Sequence, residues 1–378
     1  MLKFPMNKDP LMKVVDSTLI TLPAPSNLSY FWNMGSLLSM CLIIQLVSGL
    51  LLAATFSASF NESFWSMAEI SESVSNVWAI RYIHSNGASL FFICLYTHTA
   101  RGLFYASYTL KMTWMSGVSI LILTMATAFL GYVLPMSQMS YWGASVITNL
   151  FSEIPYIGPN IILLLWGDLS VHSATITRFF TFHFVLPFII LALVVVHITM
   201  LHQTGSSNPL GTPSLQEKTI FNKVYAIKDL LGVFIFLAIF TGLVFYAPMV
   251  MGDNENFTAA DSSATPHHIQ PEWYFLFAYA ILRAVPNKLG GVMALVMSIA
   301  LFYSLPYTAS MKMKTLSYYP LNKIFYWYFL MTIVLLSWIG ASPVEDPYVS
   351  IGQMLSFVYF SYFVLSPLSQ QVWNKVSG

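Results

Sequence analysis

The sequence predicts an all-α, polytopic membrane protein with eight transmembrane helices, on three observations. Sixteen basic and fifteen acidic side chains make up 8% of its 378 residues, against about 25% in an ordinary soluble domain. Hydrophobic types reach 57%, and the charges cluster between long uncharged runs that a surface facing water on all sides does not tolerate. Eight segments lack charge over about 20 residues, the length an α-helix needs to cross about 30 Å of hydrocarbon. A net charge of +1 provides no basic patch for nucleic acid, so that class of partner is excluded.

The spans are expected near 30–55, 78–103, 113–135, 174–201, 228–248, 289–309, 322–341 and 348–370. Backbone polar groups are not left bare in lipid, and no ten-residue alternating pattern occurs, so the spans are helices and not barrel strands. The run before the first span holds Lys3, Lys8, Asp9, Lys13 and Asp16 with no apolar stretch leading to a small-residue cleavage site, so no secretory signal is expected. If connections alternate sides, twelve of the sixteen basic residues fall on the side of the N-terminus, among them Arg101, Lys111, Lys218, Lys228 and Lys375. Eleven of the fifteen acids fall on the other side. The positive-inside rule then places both termini inside, in the cytoplasm or its mitochondrial equivalent, the matrix.

Two connections stand out. Met112 to Ser152 is uncharged and too long for one span, and Pro135 followed by Ser137, Gln138 and Ser140 predicts short amphipathic helices on the outer surface. The outer connection 249–288 begins with Asp253, Asn254, Glu255 and Asn256 and turns aromatic as Pro271-Glu272-Trp273-Tyr274-Phe275, and long loops of this kind are commonly functional. The expected organisation is a four-span bundle over 1–210 and a four-span C-terminal domain over 211–378 that carries this loop.

Four of the eight histidines lie in spans two and four: His84 and His98, then His183 and His197, 14 residues apart in each pair. Fourteen helical steps return to within about 40° of the same face with a rise of ~21 Å. The two spans run in the same direction, so His84 is expected level with His183 and His98 with His197. Facing imidazoles suit zinc, copper or a haem held at both axial positions. Gly35 and Gly49 on span one, and Gly117 and Gly131 on span three, repeat the 14-residue step at matching depths. A bare ion needs no such clearance, whereas the edge of a flat macrocycle needs backbones without Cβ. Arg81 and Arg101 stand about one turn from His84 and His98 and suit carboxylate groups of the cofactor. No Cys-x-x-Cys-His occurs, so two noncovalent haems of b type are expected. The two cysteines, Cys41 and Cys94, lie in apolar runs and are expected only to pack. The rival reading, a transporter or proton channel with a histidine relay, predicts histidines along a path instead of paired levels.

On these residues the chain resembles the cytochrome b family, the membrane-spanning subunit of respiratory quinol:cytochrome c oxidoreductase, in its mitochondrial form. The resemblance extends to Arg81-Tyr82-Ile83-His84-Ser85-Asn86-Gly87-Ala88-Ser89, Gly131-Tyr132-Val133-Leu134-Pro135, Trp142-Gly143, the stretch from Thr177 to Pro187, Pro271 to Tyr274 running on to Arg283, and Pro286-Asn287-Lys288. It implies quinol oxidation at an outer site, with Glu272 as proton acceptor and Tyr132, Tyr279, Phe129, Gly143, Ile147 and Pro271 around the pocket. It implies quinone reduction at an inner site formed by His202, Ser206, Lys228 and Asp229, with Trp32 and Asn33 nearby. It also implies a Rieske-type iron-sulfur protein, cytochrome c1 and other complex III subunits as partners, a homodimer, and the mitochondrial inner membrane with both termini on the matrix side. The chain departs from the family pattern at Met136-Ser137, where Trp-Gly is usual. It departs also at Val77 and Asp168, where glycine is common, and at His172, where an acid or amide is common. A haem-bearing structural subunit without quinone chemistry would keep the four histidines but leave Glu272, His202 and Asp229 idle.

Overall fold

The computed structural model describes residues 10–73 and 78–377; Lys3, Lys8, Asp9 and Val77 lie outside them. Eight long helices occupy the expected places. Span one is Tyr30–Ala53, span two Trp78–Phe104, span three Lys111–Val133 and span four Ser173–Thr204. Span five is Phe221–Tyr246, span six Lys288–Thr308, span seven Pro320–Gly340 and span eight Tyr348–Val376. Seven are long and apolar enough to cross a membrane. Span two has 27 residues, about 40 Å at 1.5 Å per residue, but its arginines, histidines, Asn86 and Ser89 make it less apolar. Asn86 and Ser89 are buried, which removes them from contact with lipid.

Exposure confirms the solvent these helices are built for. Span four leaves Phe182, Val185, Ile189, Val195 and other large apolar side chains uncovered, a surface that water would not support but hydrocarbon does. Span four runs to Thr204 and takes His202 into helix beyond the expected end, and span five starts at Phe221, seven residues before the expected start, so Lys228 and Asp229 lie two turns inside it. The start of span five is held by a two-stranded pair, Pro23–Pro25 against Lys218–Ile220, with Ala24 opposite Thr219. Tyr225 closes this inner corner by donating to the Pro25 carbonyl and packing with Ala24 and Leu28.

Spans one and two pack along their length, as do spans three and four, and Leu37, Leu42, Leu90, Phe91, Ile120 and Ile190 form their shared core. Span five joins this core through Phe236, Phe240 and Val244. Spans six to eight build a second core with Phe302, Phe329, Leu336 and Tyr359, which continues onto Phe92 and Leu95 of span two and Leu121 of span three.

The two surface helices after span three are Gln138–Asn149 and Gly158–Trp166. The first differs from the expected bare surface helix because the outer connection roofs it. Gln138 N donates to the Thr258 carbonyl at 3.0 Å, Gln138 Nε2 to the Ala264 carbonyl at 3.2 Å, and Ala260 N to the Met136 carbonyl at 3.0 Å. Among its residues Gln138, Met139, Ser140, Tyr141 and Thr148 are buried. Backbone carbonyls and amides of the loop need partners away from water, and this helix start supplies both donors and an acceptor.

Candidate functional site

The level pairing of the histidines is met in space. The ring centroids of His84 and His183 are 6.1 Å apart and those of His98 and His197 are 6.4 Å apart. Two metal–nitrogen bonds of about 2 Å, with about 1.2 Å from each ring centre to its nitrogen, give a span of about 6.4 Å, so each pair has room for one metal between its rings. Among the described residues no three His, Cys, Asp or Glu side chains converge. A pair supplies only two ligands, which leaves the remaining positions around such a metal to groups other than these side chains.

Three of the four imidazoles are oriented by their Nδ1 atoms. His183 Nδ1–H donates to the Thr127 carbonyl at 2.8 Å. Ser48 Oγ donates to the Ile44 carbonyl at 2.6 Å and therefore accepts from His84 Nδ1–H at 2.9 Å. Ser116 Oγ likewise donates to the Thr113 carbonyl and accepts from His197 Nδ1–H at 2.9 Å. In each case Nε2 is left with its lone pair free, the form that ligates a metal. The fourth differs: Arg101 Nη2 donates to His98 Nδ1 at 3.2 Å, which puts the ring hydrogen of His98 on Nε2, so this ring must change tautomer before Nε2 can ligate. Arg101 also lies over the Trp32 ring, 5.3 Å from its centroid, and its Nε is buried without a partner among the described residues. An orphaned guanidinium N–H beside a ligand pair fits an anionic group of the cofactor.

The glycines fit the same group. A Cβ at Gly131 would stand 2.3 Å from His183 Cε1, and one at Gly49 or Gly117 would stand 3.1 Å from the Cε1 of His84 or His197. At Gly35 the nearest atom is His98 Cε1 at 3.8 Å. Backbone thus lies directly against the imidazoles on both sides of the bundle. Pro187, one turn beyond His183, removes the N–H that would otherwise bond the His183 carbonyl.

Beside the outer pair lies a cavity of about 330 Å³ whose wall includes Gly49, Arg81, His84, Gly131, Tyr132, His183, Pro187, Asn256 and Glu272. Glu272 is brought there because its segment is docked on span two. Trp273 Nε1 donates to Ser89 Oγ at 3.2 Å, Tyr96 Oη donates to the Tyr274 carbonyl at 2.5 Å, and the Tyr274 ring stacks on Phe92 at 4.1 Å. Burial pushes the Glu272 carboxyl up to about 7, with the negative charge of Asp253 a second cause. A carboxyl that titrates near neutrality in a cavity is suited to proton transfer. Phe129 instead packs against Phe179 at 6.2 Å, and Tyr279 Oη points to the Ile269 carbonyl at 3.4 Å. Neither lines the cavity, nor do Gly143, Ile147 and Pro271.

At the inner end Asp229 Oδ1 accepts from Ser36 Oγ at 2.7 Å. Lys228 Nζ donates to the Leu28 carbonyl at 2.6 Å and sits over the Tyr30 ring at 4.5 Å, so its charge is committed to the N-terminal segment. Among the described residues Trp32 Nε1 and Asn33 Nδ2 are buried donors without acceptors. His202 and Ser206 stay at the end of span four, and among the described residues neither hydrogen-bonds to these groups.

Two family models match the chain, cytochrome b/b6/petB over residues 19–205 and the C-terminal cytochrome b/b6/petD part over 259–360. The chain belongs to the cytochrome b family. It is similar also to a solved structure described as "Hyperthermophilic respiratory Complex III", at 27% identity and a TM-score of 0.91 over 97% of both chains. As a cytochrome b it is a b-haem-binding, multi-pass electron-transfer subunit of quinol:cytochrome c oxidoreductase. Within this cytochrome b, Ser48 and Ser116 hold the rings of His84 and His197 and lie outside the candidates drawn from the sequence. Their signal was present as the dipeptides Ser48-Gly49 and Ser116-Gly117, in which the serine holds the histidine that the glycine makes room for. Asn256, which donates to Tyr132 Oη at 3.0 Å, stands out in the sequence only as part of a polar stretch.

Proposed function

We propose that the chain oxidises quinol at the outer cavity and reduces quinone at the inner end of the bundle, with one b haem between His84 and His183 and a second between His98 and His197. The observation that supports this most is the shared wall of the outer cavity, which holds Glu272 and Tyr132 together with the outer histidine pair. A quinol there meets a phenol hydroxyl to hold its oxygen and a carboxylate to take its proton. Arg81, in the same wall, pairs with an anionic group of the outer cofactor, and Arg101 does so at the inner one. When bound, the haems supply one-electron transfer between the two ends of the bundle.

At the inner end Trp32 Nε1 and Asn33 Nδ2 donate to quinone oxygens, and Asp229 delivers the proton from the side on which the basic residues gather. Lys228, His202 and Ser206 set the polar rim of that pocket. Cys41 and Cys94 are both buried in the bundle, so the high-potential acceptor of the other quinol electron belongs to partner chains, a Rieske-type iron-sulfur protein and cytochrome c1. Ubiquinone as substrate, a homodimeric complex, and the mitochondrial inner membrane with both termini in the matrix complete the reading. So does a division of labour between residues 1–210, which carry the haem ligands, and 211–378, which carry Glu272.

The test is a haem count per chain with a potentiometric optical titration of the intact complex, followed by quinol turnover of Glu272→Gln and Asp229→Asn. Two b centres with separable potentials and a loss of turnover in both variants are expected. One centre or none in folded material would sink the ligand assignment. Full turnover in both variants would leave a haem-bearing structural subunit.

A further inference from the structure

The pair Met136-Ser137, where the family has Trp-Gly, lies at the outer cavity. Ser137 is 1% exposed and forms part of the cavity wall with Ser140, Tyr132, Asn256 and Glu272. The backbone fixes it there. Ser137 forms a bridge with Ala259, and its neighbours bond to Thr258 and Ala260 of the outer connection. That connection carries Asn256, so Ser137 sits where the start of the surface helix and the loop are joined.

The hydroxyl enters a defined chain of hydrogen bonds. Ser137 Oγ donates to Asn256 Oδ1, and Asn256 Nδ2 donates to Tyr132 Oη at 3.0 Å. Ser140 Oγ, 2.8 Å from Ser137 Oγ, donates to the Tyr132 carbonyl at 2.7 Å. Among the described residues these are the partners of the Asn256 amide. Its two ends have the same shape and opposite hydrogen-bonding character. With Oδ1 held by Ser137 the amide turns Nδ2 to the phenol, whose oxygen then accepts and whose hydrogen is left for the cavity. Without the Ser137 hydroxyl, the amide is free to turn and offer Oδ1 to the phenol O–H, which takes that hydrogen out of the cavity. A glycine at this position has no group that could do this.

We propose that Ser137 is a positioning residue for quinol oxidation, holding the Asn256 amide so that Tyr132 presents its phenol O–H to the outer cavity. The inference rests on reading that cavity as the quinol site. It predicts that Ser137 acts only through Tyr132, and not on the haem ligands or the inner site.

The test is a double-mutant cycle on the intact complex in membranes with Ser137→Ala, Tyr132→Phe and the two combined, reading kcat and KM for quinol together with the optical spectrum of both b centres. Ser137→Ala is expected to lower kcat/KM by about 3- to 10-fold, the scale of one hydrogen bond. The combined variant is expected to be no worse than Tyr132→Phe, and both b centres to keep their spectra and potentials. Ser137→Gly serves as the second variant if the alanine form fails to assemble, with the same result expected. Losses that multiply in the combined variant overturn the proposal, as does an unchanged kcat/KM or a loss of haem in Ser137→Ala. Full quinol turnover in both Tyr132→Phe and Glu272→Gln would instead remove the quinol site itself.

Discussion

Replacing Gly131 with alanine discriminates between a macrocycle site and ordinary small-residue packing. The new Cβ would lie 2.3 Å from His183 Cε1, 2.8 Å from Nδ1 and 2.9 Å from Nε2. Carbon atoms in good contact sit about 3.5–4.0 Å apart, so the ring must retreat by about 1.2 Å. It cannot do so freely, because Nδ1 is bonded to the Thr127 carbonyl at 2.8 Å and a shift of that size takes the contact beyond hydrogen-bond range. Overpacking of about 1–3 kcal/mol and a lost hydrogen bond of about 1 kcal/mol combine to about 2–4 kcal/mol. That corresponds to about 30- to 1000-fold in occupancy of the outer centre. Gly242→Ala on span five is the control, since its Cβ would meet nothing within 4 Å. Haem per chain and an optical redox titration should show the outer centre lost or shifted in Gly131→Ala and both centres kept in Gly242→Ala. Two unshifted centres in Gly131→Ala, or equal losses in the two variants, would refute the reasoning.

Ser48→Ala should weaken the outer centre alone and Ser116→Ala the inner centre alone, each by about 10- to 100-fold in haem affinity, measured by haem retention during dilution. Glu272, with its carboxyl raised to about 7 by burial and Asp253, becomes a competent base only as pH rises through that value. Quinol oxidation should therefore increase between about pH 6 and 8, and a Glu272→Gln variant that keeps the same pH step counts against the assignment. The sign for stability is opposite: the unfolded carboxyl ionises first, near its ordinary 4.5, so stability falls as pH rises from there through about 7. Denaturation midpoints of Glu272→Gln should lack that slope. Asp229→Asn should slow inner quinone reduction by about tenfold or more while leaving haem reduction from the outer site intact, as separated by pre-steady-state optical traces with an inner-site inhibitor.

The spans and the histidine levels were legible because they depend on properties that run along one helix: a charge-free length and a 14-residue return to the same face. Span two shows the limit of the first property, since its histidines and arginines lower its hydropathy although its length suffices to cross. What stayed hidden depends on which side chains meet across helices. Ser48 and Ser116 look like packing residues until His84 and His197 are placed over them. Asn256 lies 124 residues from Tyr132 in sequence, and no periodicity announces that contact. The roof over Gln138–Asn149 was missed for the same reason, because Thr258, Ala260 and Ala264 reach it from a distant loop. The inner pocket was legible only in part. The structure pairs Asp229 with Ser36, leaves Trp32 Nε1 and Asn33 Nδ2 without acceptors among the described residues, and turns Lys228 to the Leu28 carbonyl, contacts that no pattern along one helix announces.

The two histidine levels differ in a way that predicts a direction for electrons. His183, in the outer pair, is held by the neutral Thr127 carbonyl, and Arg81 shares its cavity with Asp253 and Glu272. His98, in the inner pair, is contacted directly by the Arg101 guanidinium at 3.2 Å, and among the described residues no carboxylate forms an ion pair with Arg101. A nearby positive charge favours the reduced form of a centre, so the inner site should have the higher potential. At an effective dielectric of about 20 a unit charge this close is worth several kcal/mol, on the order of 100 mV. That is the scale needed to move an electron inward against the membrane field, which opposes it by about 2.3 kcal/mol per 100 mV. Arg101→Leu should therefore lower the inner potential and narrow the gap between the two centres in a redox titration, with the outer potential unchanged. If the gap stays the same in a variant that retains both haems, the guanidinium does not set it, and the difference must come from burial of the two centres.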